Sequence, residues 1–187
     1  KTIGIVGTGR IGRHAIKIAT GFDMKILAYD PYPNPELQKQ FAFQYAPLDE
    51  LLAQSDIVTL HVPYTPETHH LIDATRLAKM KRGAYLINTS RGGLVETEAL
   101  VAALHEGRLG GAGLDVLEEE GVIKDEMDFL IHGHPEGHNL KTILANHLLI
   151  DMPNVIITPH NAFNTKEALQ RILDTTVENI NGFLAGQ

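Results

Sequence analysis

Residue types able to handle a carboxylate and a carbonyl stand at three separate points of this sequence: Arg91, the glutamate run Glu118, Glu119 and Glu120, and His160. Arginine presents a planar fork of donors that can hold a carboxylate through two parallel hydrogen bonds. Histidine titrates near neutrality, so as imidazolium it can protonate a carbonyl oxygen and as imidazole it can take the proton back. A glutamate hydrogen-bonded to that ring, with Glu120 as the candidate, would favour the charged form. The set suits reduction of a 2-oxo acid, with Arg91 clamping the substrate carboxylate and His160 serving as acid/base. Asp115 could bind a nicotinamide carboxamide or orient the histidine. Taken singly, each has a plain structural role: Arg91 in a local cap, His160 as a turn residue after Pro159, and the three glutamates as a solvated face.

A second chemistry is written into the first thirty residues. Thr2–Val6 reads as a strand, Gly7-Thr8-Gly9-Arg10-Ile11-Gly12 as a glycine-rich turn, and Ile11 to about Thr20 as a helix with Ile11, Ala15, Ile18 and Ala19 on one face. Lys25–Tyr29 is the next strand and delivers Asp30 at its end. In such a unit Gly7 permits the tight turn, Gly9 lets backbone approach a pyrophosphate, and Gly12 lets helix and strand pack closely. The helix N-terminus supplies free N–H groups and positive dipole. Asp30 would accept from the adenosine ribose hydroxyls and repel a 2′-phosphate, which favours NAD over NADP. The same glycines could serve chain reversal alone; strand, turn, helix, strand and acid arriving in order favour the dinucleotide.

The elements that must position these residues follow from hydrophobic patterning. Three prolines in Pro31–Pro35 give a loop, and a short strand is expected near Phe43–Tyr45. Pro47–Gln54 reads as a helix with Leu48, Leu51 and Leu52 inward, and Asp56–Val62 as an apolar strand ended by Pro63. Then come a helix at Ala74–Met80, a strand at Ala84–Asn88, a helix at Glu96–His105, and strands at Ala112–Val116 and Asn154–Thr158. A final helix from Thr165 to about Leu184 carries Ala168, Ile172, Val177 and Ile180. Alternating strands and helices predict an α/β fold: a single Rossmann-type domain over residues 1–187, with a doubly wound parallel sheet of about six or seven strands. In such a sheet ligands lie beyond the carboxyl ends of the strands, where Arg91, Glu120 and His160 all fall. Residues 117–153 fit the alternation least well; their histidines at 132, 134, 138 and 147 read as a solvated loop rather than a metal site.

The chain has 187 residues, 43% of them apolar, and a net charge of −7 from 16 basic and 23 acidic residues. That balance, with no basic block, argues against nucleic acid or an anionic membrane as partner. Absence of cysteine removes disulfides and thiolate chemistry and suits a reducing compartment, so the cytoplasm is expected. No apolar run is long enough to span a bilayer, and Lys1 opens directly onto a strand, as in a chain cut at a domain boundary.

The motifs Gly4-Ile5-Val6-Gly7-Thr8-Gly9-Arg10-Ile11-Gly12, Tyr29-Asp30, His61-Val62-Pro63, Asn88-Thr89-Ser90-Arg91-Gly92, Gly113-Leu114-Asp115-Val116 and Thr158-Pro159-His160 together resemble the NAD-binding domain of the D-isomer-specific 2-hydroxyacid dehydrogenases. The resemblance runs over all 187 residues. It implies catalytic roles for Arg91, Glu120 and His160, setting aside Glu118 and Glu119 by register. It implies cofactor contacts at Gly7, Gly9, Arg10, Ile11, Gly12, Asp30, Val62, Pro63, Thr89, Arg91, Asp115 and His160, with NAD as cofactor and no metal. The stretch before His160 and the phrase His160-Asn161-Ala162-Phe163 are similar to the D-lactate branch, which would place Phe163 toward the substrate side chain. Homodimerisation is also implied. Members carry a second, substrate-binding domain built from segments before and after the nucleotide domain; we expect it to be absent here, leaving one wall of a cleft and weak or no catalysis. The contrasting reading is a non-enzymatic NAD-sensing interaction module.

Overall fold

A computed structural model of the chain describes residues 1–120 and 139–186. Seven strands, β1 (Thr2–Val6), β2 (Lys25–Tyr29), β3 (Gln44–Tyr45), β4 (Ile57–Leu60), β5 (Ala84–Asn88), β6 (Leu109–Leu114) and β7 (Val155–Ile157), form one parallel sheet in the order β3-β2-β1-β4-β5-β6-β7. Strand order reverses between β1 and β4, the switch point at which doubly wound sheets hold ligands. Helices α1 (Gly12–Gly21), α2 (Pro35–Phe41), α3 (Leu48–Gln54), α4 (Ala74–Lys79), α5 (Thr97–His105), α6 (Leu140–Asp151) and α7 (Lys166–Leu184) connect and follow them.

Alternation along each strand divides the core between the two faces. Ile5, Ile26 and Ala28 meet Ile16 and Ala19 of α1 and Leu37 of α2 on one side. Val6, Leu27, Val58, Leu60 and Leu86 meet α3, α4, α5 and α6 on the other, where the larger cluster lies. On the α1 side the sheet beyond β4 stays open, with Tyr85 51% and Ile156 72% exposed.

Four elements differ from the sequence reading. In α1 the buried residues are Gly12, Ile16 and Ala19, while Ile11 and Ile18 are exposed. The i, i+4, i+7 stripe starts at Gly12, because Ile11 is the cap and leans outward. Helix α2 fills a stretch to which the sequence reading gives no element, starting at the last residue of the expected Pro31–Pro35 loop: Asn34 Oδ1 accepts from the N–H groups of Glu36 and Leu37, and Pro35 begins the helix. Proline breaks a helix interior but suits its first position, so the third proline starts this helix. Strand β6 begins three residues early, through Gly110 and Gly111, with a register irregularity between Ala84 and Tyr85. Side chains at these glycines would strike the backbone carbonyls of Gly83 and Asn154, so their small size admits close neighbouring strands. Helix α6, capped by the Asn139 side chain on Lys141 N–H, occupies part of the segment left as loop and packs Ala145 and Leu149 inward.

Helix α7 matches its predicted span but buries no residue; Ile172, Val177 and Ile180 are each half exposed or more. No described helix is long and apolar enough to cross a membrane.

Candidate active site

The glycine turn is shaped by contacts that only glycine tolerates. Gly7 adopts φ +95° and donates its N–H to the Tyr29 carbonyl at 2.7 Å. A Cβ at Gly12 would collide with the Gly7 carbonyl oxygen, whereas a Cβ at Gly9 would meet nothing within 4 Å. The first and third glycines thus close the turn, and the second leaves open space above it. Helix α1 has no side-chain cap and no acid in its first turn, so the positive end of its dipole is not neutralised by a side chain, although the Arg13 and His14 N–H groups donate to the Gly9 and Ile11 carbonyls. An anionic pyrophosphate fits such a cradle. Asp30 stands beside it: Oδ2 accepts from the Thr8 N–H at 2.7 Å and hydroxyl at 2.9 Å, and Oδ1 from the Tyr32 N–H at 2.9 Å. Its remaining lone pairs suit ribose hydroxyls.

Across the switch point, a cleft of about 540 Å³ is lined by Arg10, Ile11, His61, Val62, Pro63, Tyr64, Thr89, Ser90 and Arg91. Arg10, Ile11, Val62, Pro63, Thr89 and Arg91 are cofactor candidates from the sequence; His61, Tyr64 and Ser90 are additions. Burial holds the His61 imidazole below its ordinary value and therefore neutral.

The Arg91 turn is fixed by the buried Asn88, whose Nδ2 donates to the Arg91 carbonyl at 2.8 Å and whose Oδ1 accepts the Ser90 N–H at 3.0 Å. The Ser90 hydroxyl donates to the Leu60 carbonyl, tying β5 to β4. Gly92 then presses on the backbone of Leu117 and Glu118, where a Cβ would collide. The arginine turn and the glutamate run are therefore in backbone contact. The guanidinium is exposed and donates to the Ser90 carbonyl at 2.6 Å.

At the ends of β6 and β7, His160 Nδ1 lies 2.6 Å from Glu120 Oε1, both side chains about 30% exposed. Glu118 instead meets His70, 2.7 Å away, so the two glutamates take different partners. The register of the resemblance singled out Glu120, and Glu120 is the one that stands beside His160. His160 has φ +51°, a left-handed backbone that a non-glycine residue keeps only when its surroundings enforce it. The enforcing group is Asp115. Its Oδ1 accepts from the Thr158 hydroxyl at 2.5 Å and the Asn161 N–H at 2.9 Å, and its Oδ2 from the Ala162 N–H at 2.8 Å. Burial works to raise the Asp115 carboxyl, but these bonds and the nearby His160 outweigh it and hold the group below the usual carboxylate range. Of the two roles considered for Asp115, the observed contacts match orienting the histidine loop. Phe163 is half exposed with its ring edge-on to His160 at 6.2 Å.

Sequence reasoning missed several supports. Asn146, fully buried on α6, donates to the Glu118 carbonyl at 2.6 Å and steadies the glutamate run. Tyr45 bonds the Thr8 hydroxyl and the Asn34 N–H, linking β3 to the glycine turn. Residues 132, 134 and 138 lie outside the described residues, and His147 sits on α6.

Comparison with known proteins places the chain in a family. The family model described as the NAD binding domain of D-isomer specific 2-hydroxyacid dehydrogenases matches residues 1–162. A 2-hydroxyacid dehydrogenase homolog of Zymomonas mobilis is 44% identical over 188 residues, covering 100% of this chain and 54% of the relative. The D-lactate dehydrogenase of Aquifex aeolicus, solved with NAD and lactic acid, superposes with a TM-score of 0.88 at 41% identity, covering 99% of this chain and 54% of that one. The pyruvate reductase of Chlamydomonas reinhardtii gives 0.86 at 42% identity, covering 100% and 54%. The chain spans about half the length of the relatives it matches. With its sheet order, glycine turn and His160–Glu120 pair in place, the chain belongs to the D-isomer-specific 2-hydroxyacid dehydrogenases, as their NAD-binding domain.

Proposed function

We propose that this chain holds NAD and carries the catalytic side chains for reversible hydride transfer between NADH and a small 2-oxo acid of the pyruvate/D-lactate kind. The observation that carries the reading is the 2.6 Å contact of His160 with Glu120, beyond the ends of β7 and β6. When bound, the nicotinamide supplies or accepts the hydride. Every other part of the reaction falls to the protein. Gly7, Gly9 and Gly12 with the α1 N-terminus hold the pyrophosphate, Asp30 holds the ribose, and Arg10, Ile11, Val62, Pro63 and Thr89 form the walls. Arg91 turns from the Ser90 carbonyl to the substrate carboxylate, exchanging one acceptor for a charged, bidentate one. His160 gives its Nε2 proton to the carbonyl oxygen as hydride arrives at the carbonyl carbon, and Glu120 at Nδ1 stabilises the imidazolium beforehand. Asp115 keeps the loop under His160 in place, and Phe163 borders the substrate side chain. The lactate-bound Aquifex neighbour and the pyruvate reductase support the substrate class.

Calorimetric titration with NADH and NADPH tests the cofactor half: NADH binds, and NADPH binds far more weakly because Asp30 repels its extra phosphate. Failure to bind either would remove the reading. For the catalytic half, NADH oxidation with pyruvate and branched 2-oxo acids is measured on the chain joined to the flanking segments its relatives carry. His160→Gln should lower kcat by at least about a hundredfold; unchanged turnover would remove His160 from the acid/base role, whereas a parent with intact His160 that reduced no 2-oxo acid would favour a non-enzymatic NAD-sensing module. Substitutions at Phe163 should alter the preference between pyruvate and branched acids. We further propose a homodimer, which sedimentation equilibrium at micromolar concentration tests.

A further inference from the structure

Away from the His160 centre, His69, His70 and Glu118 form a cluster whose candidate ligand atoms all lie within 4.8 Å of one another. The fold assembles it, since Glu118 arrives 48 residues after His70. His70 Nε2 is 2.7 Å from Glu118 Oε1, and the two imidazoles stack with centroids 3.8 Å apart and planes 25° from parallel. Two of the three side chains have an outer partner of the sort that orients metal ligands. The Tyr64 hydroxyl lies 3.1 Å from His69 Nδ1, and the Thr97 hydroxyl donates to Glu118 Oε2 at 2.8 Å. The His70 N–H donates to the Gly93 carbonyl at 2.8 Å, and His70 holds φ +49°. A left-handed backbone is unfavourable at a non-glycine residue, and at this one the ring meets a carboxylate.

We propose that His69, His70 and Glu118 bind a divalent transition-metal cation of the Zn²⁺ class, with a fourth position left to water. Two imidazoles and one carboxylate select Zn²⁺, Ni²⁺ or Cu²⁺ over Mg²⁺ and Ca²⁺, which prefer oxygen ligands throughout. The cation replaces the direct His70–Glu118 hydrogen bond, and because it binds unprotonated rings, protons compete with it. The site is distinct from the catalytic set but coupled to it. Glu118 precedes Glu120 by two residues, and Tyr64 lines the cleft. Occupancy therefore bears on the placement of Glu120. This site stands independently of the proposed activity.

Titration calorimetry of the intact chain with ZnCl2 at pH 7.5 and 5.5 tests it, with Co²⁺ absorption as a second readout of ligand number. His69→Ala leaves the His70–Glu118 hydrogen bond intact, so a merely structural clamp would survive it. The proposal expects this variant and Glu118→Gln each to weaken Zn²⁺ binding by at least tenfold, and Thr97→Val by about tenfold. His105→Ala, an exposed residue of α5, should bind as the parent does. Absence of Zn²⁺ binding by the parent, or affinity unchanged in both His69→Ala and Glu118→Gln with circular dichroism showing each folded, overturns it.

Discussion

The glycine turn and the catalytic edge lie along the same side of one sheet, yet they are built in opposite ways. Most of what shapes the turn comes from the contiguous stretch β1–α1–β2, with Asp30 reaching back 22 residues to Thr8, while Tyr45 and the His61 backbone press in from β3 and the end of β4. The catalytic edge draws on three distant segments: Glu120 meets His160 across 40 residues, and Asp115 reaches Asn161 across 46. A locally encoded site fails when its own glycines change. A site assembled by the sheet fails when the joints between segments change.

The largest expected effect is at the turn. Gly12→Ala forces a methyl onto the Gly7 carbonyl oxygen, and either the fold opens or α1 shifts; NADH affinity should fall at least a hundredfold, close to 3 kcal/mol, by calorimetry. Gly9→Ala sharpens the contrast. Its methyl meets no protein atom, so the denaturant midpoint should hold while NADH binding weakens, because the lost space belongs to the ligand. Equal loss of stability in both variants would show the turn to be architectural only.

At the other end, Gly92→Ala should separate the arginine turn from the Leu117–Glu118 backbone, costing about 2 to 3 kcal/mol in urea unfolding. Asp115→Asn keeps the shape but puts a donor where an acceptor served the Asn161 or Ala162 N–H. It should cost about 2 kcal/mol and release His160 from its left-handed backbone, visible in the His160 NMR shift. An unchanged spectrum would mean that Pro159 and Thr158 alone hold that loop.

Acidity gives the smallest effect and separates the regions again. Burial lowers the His61 pKa in the folded chain, so above about pH 6.5 both states are neutral there. As pH falls below that value the unfolded chain takes up the proton first and stability declines; His61→Gln should flatten the denaturant midpoint between pH 7 and 5.5. Asp115 is lowered when folded, so its contribution is present above about pH 4 and is lost below it as the carboxyl protonates. Asp56, held by Lys81 and by the Thr2 N–H, is lowered to about 2 and loses its contribution between the ordinary carboxylate range and that value. Asp56→Asn should therefore alter only the acid limb.

Legibility followed the same division. The β1–α1–β2 unit and the seven-strand alternation could be read because strand and helix periods and glycine positions act over a few residues. The α1 face was misassigned because Ile11 and Ile18 are apolar yet serve the cleft and the surface, and apolarity alone does not say which way a residue faces. Helix α2 carried a readable signal in Asn34 followed by Pro35, hidden by two earlier prolines. Helix α6 lies beyond the acidic run in a stretch without strand alternation, and Asn146 has no meaning there until Glu118 is beside it.

Sequence alone determined the parallel fold, the glycine turn, and the presence of an arginine, a glutamate and a histidine at strand ends, since each depends on the order and spacing of neighbouring residues. Glu120 was already singled out by register; only the tertiary structure decided the contact it makes with His160, that Asp115 holds the loop beneath that ring, and that Glu118 pairs with His70. These are contacts between segments 40 or more residues apart, and which side chains meet across such distances is set by how strands register and helices pack, not by local spacing.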